Sequence, residues 1–325
     1  MWAQRLVAPG RFEQIDVPEP TEADLAPGSV LLKVLAGGIC GSDLPYFKGQ
    51  LPLPWGSAAA PNLAEKTPGF PMHEVVGEVV ATNDESLGVG ELVVGWASGS
   101  NAIAEYAVTA AAGVAPFDKK LDPGGAVTLQ PLACVLDAVP RIGSFEGRTV
   151  AVLGIGPIGL LFGHVAKTLG AERVVGVDRV DRVDLGAKFF FDETFHASSD
   201  AWVAGLTDDE RPDIVIEAVG HQTSTLGHAL EAVGQEGLVY YFGIPDDINY
   251  SFPLQSLLRK NLRLAAGITL HKKDALRRAN EYVSRFPDLA NDYVTSRYAP
   301  KDVERAFEAA VTPSLGRAKI VLEMD

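Results

Sequence analysis

With 325 residues, 47% of them hydrophobic, the chain is long enough for one large or two medium domains around a substantial core. A formal net charge of −14 without any basic run argues against nucleic acid or an anionic membrane as a partner. The start has no apolar signal core and no stretch reads as a membrane span, so a cytoplasmic protein is expected, in which Cys40 and Cys134 need form no disulfide framework.

Residues 1 to about 130 read as strands and turns. Val30–Leu35 is an apolar strand followed by Gly37 and Gly38. Glu74–Thr82 is β-branched and broken by a glycine, and Glu91–Trp96 and Glu105–Thr109 are further short strands. Proline and glycine punctuate them at short intervals, which predicts a small barrel. The segment Gly49–Gly69 reads as a long loop near a site. Trp55 and Phe70 either line a pocket there or pin the loop.

From about residue 132 the pattern becomes alternating strand and helix. Val150–Leu153 is a continuous apolar run, as expected of a strand buried on both faces. Gly154, Gly156 and Gly159 follow at the spacing G-x-G-x-x-G, with Pro157 and Ile158 between them. Leu161, Phe162, Val165, Ala166 and Leu169 continue at helical spacing. The first glycine permits the sharp turn, the second lets backbone approach a pyrophosphate, and the third lets helix and strand pack closely. The helix N-terminus then faces the anion. A second strand, Val174–Val177, ends in Asp178, where an acid would meet an adenosine ribose. Ile214–Ile216, a helix around Thr223–Val233 and Leu238–Phe242 complete the grammar of a parallel, doubly wound α/β sheet. Val219, Gly220, Gly243 and Ile244 lie just past strand ends, where such sheets bind ligands. Leu262–Gly267 reads as a last strand. Helices follow near Lys272–Arg285 and Pro300–Val311, then Lys319–Leu322 closes the chain, rejoining the first domain. His164 reads as exposed or packed, and His221 lies near the expected cofactor.

A second constellation sits earlier. Cys40 lies just after a strand, and His73 and Glu74 follow some thirty residues on. Thiolate, imidazole and carboxylate are all zinc ligand types. The residues alone leave two readings open, a metal site or a buried cysteine with a surface His–Glu pair.

GGICGSDL, MHEVVGEVV, QPLAC and VAVLGIGPIGLL with GVD, in that order, together with the ending from Ala306-Phe307 to Lys319-Ile-Val-Leu, resemble the zinc-dependent medium-chain alcohol dehydrogenases. The polyol and sugar dehydrogenase branch is the nearest. The resemblance implies a GroES-like β-barrel catalytic domain from residues 1–131 and 269–325, and a Rossmann NAD-binding domain from 132–268. It assigns Cys40 and His73 as ligands of a catalytic zinc, with Glu74 beside them either binding the metal or stepping back. Gln130 falls where sorbitol-type members carry a ligating glutamate. Cys134 falls where the family faces the nicotinamide. Ser42 matches the hydroxyl that passes on the substrate proton, and Asp43 the acid that holds the metal histidine. Gly154, Gly156, Pro157, Ile158, Gly159, Asp178, Arg179, Arg182, Val219, Gly220, Gly243 and Ile244 form the cofactor set. Asp178 favours NAD over NADP, and Arg179 softens that preference. Arg317 and Lys319 either neutralise pyrophosphate or belong to a solvated tail.

Three departures from the family pattern stand out. Pro45 occupies the place of a histidine that completes the proton route in many relatives. Two cysteines cannot build the four-cysteine structural zinc lobe, so one zinc per subunit is expected. The loop Gly49–Gly69 has no clear counterpart. The implied activity is hydride transfer between a secondary alcohol of the polyol, sugar or cyclitol class and NAD by a homodimer or homotetramer. A zinc-free quinone or enoyl reductase of the same superfamily and a non-catalytic dinucleotide-binding regulator are the alternatives.

Overall fold

The computed structural model describes residues 1–50, 68–245 and 247–324. Trp55 and most of the loop Gly49–Gly69 lie outside the described residues. In chain order the strands are β1 (Trp2–Ala8), β2 (Arg11–Asp16), β3 (Ser29–Gly38), β4 (Glu74–Thr82), β5 (Leu92–Trp96), β6 (Tyr106–Ala110), β7 (Val114–Pro116), β8 (Thr149–Leu153), β9 (Arg173–Asp178), β10 (Glu193–His196), β11 (Ile214–Glu217), β12 (Leu238–Tyr241), β13 (Arg263–Ala266), β14 (Val294–Tyr298) and β15 (Lys319–Glu323).

Strands β8 to β13 form a parallel sheet in the order β10-β9-β8-β11-β12-β13. Numbered within the sheet this is 3-2-1-4-5-6, the order of doubly wound dinucleotide folds. The apolar run of β8 is buried on both sides for a simple reason. Val150 and Val152 join a core with Leu160, Leu161 and Phe162 of the helix Pro157–Thr168. Ala151 and Leu153 join a separate core with Leu226 and Leu230 of the helix Thr225–Ala232. Successive side chains of a strand point to opposite faces, so both faces need apolar residues. The strand order reverses between β8 and β11, and that switch point opens a crevice at their carboxyl ends.

The second sheet is mixed, in the order β14-β15-β3-β4-β5-β7, with β6 also paired to β3. Its carboxyl-terminal member β15 runs antiparallel to β3, Val321 opposite Gly38. On the other side of β3, Gly38 lies opposite Glu74 of β4. The two ends of the chain therefore share one sheet, as the closing strand Lys319–Leu322 predicted. The helix Leu129–Ile142 packs on the helix Lys272–Arg285, against β5 of the mixed sheet and β13 of the parallel one. One core runs from Val76 and Val94 through this helix to Val150 and Ile216.

The β1–β2 hairpin and β14 were not legible as strands. Only Ala3, Leu6, Phe12 and Val294 are buried apolar residues within them, too few to set a period. No helix among the described residues is long and apolar enough to cross a membrane.

Candidate active site

Cys40 lies two residues past the end of β3 and caps a short 3-10 turn, Gly41–Asp43. That turn returns the buried Asp43 carboxylate to the cysteine, whose backbone N–H donates to Asp43 Oδ2 at 2.9 Å. The other oxygen, Oδ1, lies 2.8 Å from His73 Nδ1. A proton donated from Nδ1 to that carboxylate leaves the Nε2 lone pair available. His73 immediately precedes β4, and Glu74 is its first residue. One ligand atom each from Cys40, His73 and Glu74 lie within 4.8 Å of one another.

Burial alone would push the His73 imidazole down. The Asp43 carboxylate, its hydrogen bond and the neighbouring Cys40 outweigh burial and hold it well above its ordinary value. Glu74 is only 1% exposed. Its Oε1 accepts from Lys319 Nζ at 2.6 Å, and Lys319 Nζ also donates to the Ile39 carbonyl at 2.9 Å. Burial raises the Glu74 carboxyl above its usual range although Lys319 pulls the other way. Its second oxygen, Oε2, is buried without a hydrogen-bond partner among the described residues. Gly38 makes room for this arrangement, because a Cβ there would lie 2.8 Å from Lys319 Cε and collide with Glu74 Oε2. Lys319 is thus neither a pyrophosphate ligand nor part of a solvated tail.

Gln130 lies buried near the start of the helix Leu129–Ile142. Its amide nitrogen faces Cys134 Sγ at 3.8 Å, which leaves the carbonyl oxygen as a neutral donor. Burial pushes the Cys134 thiol up to about 12, so it stays protonated and is a poor metal ligand. Cys40, His73 and Glu74 supply the sulfur, imidazole and carboxylate ligand types that fit a zinc ion, and Gln130 lines the same cavity.

A cavity of about 400 Å³ opens beside this cluster and is lined by Cys40, Ser42, His73, Glu74, Gln130, Ile158, Val219, Gly243 and Ile244. A second, of about 350 Å³, runs along Gly154, Gly156, Pro157, Asp178, Arg179 and Arg182. The two meet at Cys40, Gly41, Ala218 and Val219. The dinucleotide motif and the metal cluster therefore share a wall.

The glycines of the motif play distinct parts. Gly154 turns with φ +84, its N–H bonded to the Val177 carbonyl at 2.8 Å. Gly156 caps the helix Pro157–Thr168, with Pro157 in its first turn and open space where a Cβ would stand. Gly159 packs on the Gly154 carbonyl with no room for a side chain. Asp178 anchors the loop, Oδ2 accepting from Ile155 N at 2.9 Å and Oδ1 from Val180 N at 2.8 Å. Gly220 has φ +62, and a Cβ there would lie 2.7 Å from Ile244 N.

Arg182 is buried on the wall of the second cavity, with its guanidinium bonded to backbone carbonyls. Its Nη1 donates to the carbonyls of Ser314 and Arg317 at 3.1 and 2.6 Å, while Nε stands 4.0 Å from Asp178. Burial lowers it from its ordinary value. Phe70 is buried with its ring centroid 4.8 Å from that of Tyr46. His221 lines the metal-side cavity. Sequence reasoning missed Glu217, fully buried at the end of β11, whose Oε1 accepts from Val219 and Gly220 N at 3.2 Å each. A glutamate closing an otherwise apolar strand was the available signal. It also missed the side of the cavity formed by Trp96, Asp137, Arg141 and Lys272.

Comparison with known proteins agrees with this geometry. Residues 26–126 match the family described as alcohol dehydrogenase GroES-like domain, and residues 157–285 the family described as zinc-binding dehydrogenase. L-threonine 3-dehydrogenase of Pyrococcus abyssi is 30% identical over 272 residues, 74% of each chain. Erythritol/L-threitol dehydrogenase of Mycolicibacterium smegmatis is 31% identical over 272 residues, 72% of this chain and 73% of its own. The solved structure of an alcohol dehydrogenase from Escherichia coli CFT073, complexed with NADH, superposes with a TM-score of 0.81 at 21% identity, covering 99% of both chains. With its two motifs meeting at one wall and both halves matched, the chain belongs to the zinc-binding medium-chain dehydrogenase/reductase family, related to the polyol and sugar dehydrogenases, and is an NAD(P)-dependent oxidoreductase.

Proposed function

We propose that the protein transfers hydride between a secondary alcohol of the polyol, sugar or cyclitol class and NAD, with one zinc held by Cys40, His73, Glu74 and Gln130. The observation that carries this reading is the convergence of thiol, imidazole and carboxylate where the two cavities meet. A zinc-free reductase would have no use for that convergence. Zinc, when bound, supplies a Lewis acid that eases alcohol deprotonation near neutral pH, and NAD supplies the hydride acceptor.

The remaining roles belong to side chains. Asp43 keeps His73 in the tautomer with a free Nε2. Glu74 can lean toward the cluster or remain on Lys319; withdrawn, it leaves the more positive site. Ser42, on the cavity wall two residues from Cys40, takes the alcohol proton. Pro45 has none to pass on, so the proton leaves through water, the cofactor ribose or another group. The Asp178 carboxylate accepts from a ribose hydroxyl and repels a ribose phosphate, which favours NAD; Arg179 beside it tempers the preference. Residues 1–131 and 269–325 then carry zinc and substrate, and residues 132–268 the dinucleotide. The substrate named for the erythritol/threitol relative supports the polyol class.

Among the described residues the edge strand β13 has a neighbour on one side only, and Leu264, Ile268 and Leu270 are exposed on and after it. An unpaired edge with apolar side chains supports a homodimer through that edge. Unpaired cysteines suit a reducing, cytoplasmic setting.

The test pairs metal analysis with kinetics on a polyol, sugar and cyclitol panel with NAD and NADP. Cys40→Ser and His73→Ala are expected to lose zinc and at least about 1,000-fold in kcat/KM, yet still bind NADH by fluorescence. Undiminished turnover in a zinc-free variant would refute the assignment.

A further inference from the structure

The metal-side cavity carries charge that the proposed reaction does not use. Its lining includes Trp96, Asp137, Arg141 and Lys272. Arg141 is paired with Asp137: Nη1 donates to the Asp137 carbonyl at 2.6 Å, and Nη2 to Asp137 Oδ2 at 3.0 Å and to the Ile268 carbonyl at 3.1 Å. Asp137 also accepts from Arg278 Nη2 at 3.2 Å. The other lining carboxylate, Glu74, is paired with Lys319. Both lining carboxylates are therefore neutralised by other cations.

Lys272 has no carboxylate partner among the described residues. Its Nζ lies 5.1 Å from the centre of the Trp96 ring, so the ammonium is steadied on an aromatic face without its charge being balanced. Its place in the chain sharpens the point. Lys272 is the first residue of the 14-residue helix Lys272–Arg285, whose N-cap His271 makes no side-chain cap. The positive end of the helix dipole disfavours a cation there. The cavity thus presents one uncompensated positive charge, at an electrostatically unfavourable place, in the same space as Cys40, Ser42 and His73.

We infer that Lys272 is a specificity residue for an anionic substrate: the alcohol oxidised here carries a carboxylate or a phosphate away from its reacting carbon, and Lys272 pairs with that group. This rests on the dehydrogenase reading above and narrows its substrate class. An acidic polyol gains an ion pair in a partly water-excluded cavity, whereas a neutral polyol gains none and an amine is repelled.

The zinc-loaded enzyme is assayed with NAD on three alcohols sharing one carbon skeleton: the neutral polyol, its terminal carboxylate and its terminal phosphate monoester. At least one anion is expected to exceed the neutral polyol in kcat/KM by about tenfold, through KM, and Lys272→Gln to reduce that ratio by about as much. Lys272→Arg should restore part of it. The better anion identifies the group. A ratio near one in the wild type, or a ratio unchanged in Lys272→Gln because all three substrates suffer alike, overturns the inference while leaving the dehydrogenase reading intact. If no alcohol yields NADH, the dehydrogenase reading fails instead. Calorimetric binding of the same carboxylate and phosphate to wild type and Lys272→Gln then decides, and equal affinities overturn the role of Lys272.

Discussion

Glu74 and Lys319 face each other across Gly38 almost out of reach of solvent. A buried pair of this kind adds little net stability, but breaking it from one side is costly because a lone charge remains in a poor solvent. Lys319→Met is therefore expected to lower unfolding free energy by about 3–5 kcal/mol. Adding Glu74→Gln should recover much of the loss in denaturant titrations. His164 illustrates burial without a counter-charge. It is 3% exposed, with Nδ1 2.7 Å from the Tyr282 hydroxyl, and burial lowers it to about 4. The unfolded chain takes up a proton near the ordinary value of about 6.5. Stability present above that pH is consequently lost as pH falls through about 4. Between pH 7 and 4, wild type should lose on the order of 2 kcal/mol more than His164→Gln. Equal losses in paired urea curves would count against this account.

The glycine turn separates two jobs that a motif string merges. Around Gly156 a Cβ would meet nothing within 4 Å, whereas at Gly159 it would stand 3.2 Å from Val152 Cγ1 and press into the Gly154 carbonyl. Gly156→Ala is thus expected to leave the melting temperature nearly unchanged while weakening NADH binding by at least about tenfold, on the proposal that the lost space is where the pyrophosphate lies. Gly159→Ala should instead destabilise the fold by about 1–3 kcal/mol through overpacking. Thermal melts and NADH fluorescence titrations distinguish the two. At this scale the chain is largely readable. The helix Lys272–Arg285 was legible from end to end because Ala275, Leu276, Ala279, Tyr282 and Val283 repeat at helical spacing and are all buried. The helix Leu129–Ile142, which carries Gln130, was hidden by buried residues around its first turns and a proline, Pro140, inside it.

Over the whole molecule, one sheet is assembled from both ends of the chain and the other from the middle. One core joins them, which holds the Cys40, His73 and Glu74 cluster and the crevice along the glycine turn at a common wall. The parallel sheet stops abruptly at β13, with Leu264 38% and Ile268 75% exposed. If two copies join there, Leu264→Lys combined with Ile268→Lys should convert the dimer to monomer by sedimentation velocity. A dimer that survives both charges would place the interface elsewhere.

What the sequence determined by itself was local. The three-residue spacing of Cys40 and Asp43 lets the carboxylate reach back to the cysteine N–H. The glycine turn, its flanking strand and helix, and the acid at the end of β9 follow from backbone periods of two and 3.6 residues. Tertiary structure alone decided the partners of the charges. Lys319 finds Glu74 from 245 positions away, Arg182 serves the Ser314 and Arg317 carbonyls, and Lys272 settles on Trp96 with no carboxylate paired to it among the described residues. The physical reason is that hydrophobic period specifies which face of an element is buried. The pairing of charges depends on strand register and on which distant segments are brought out of water together, and neither is written in any single stretch of the chain.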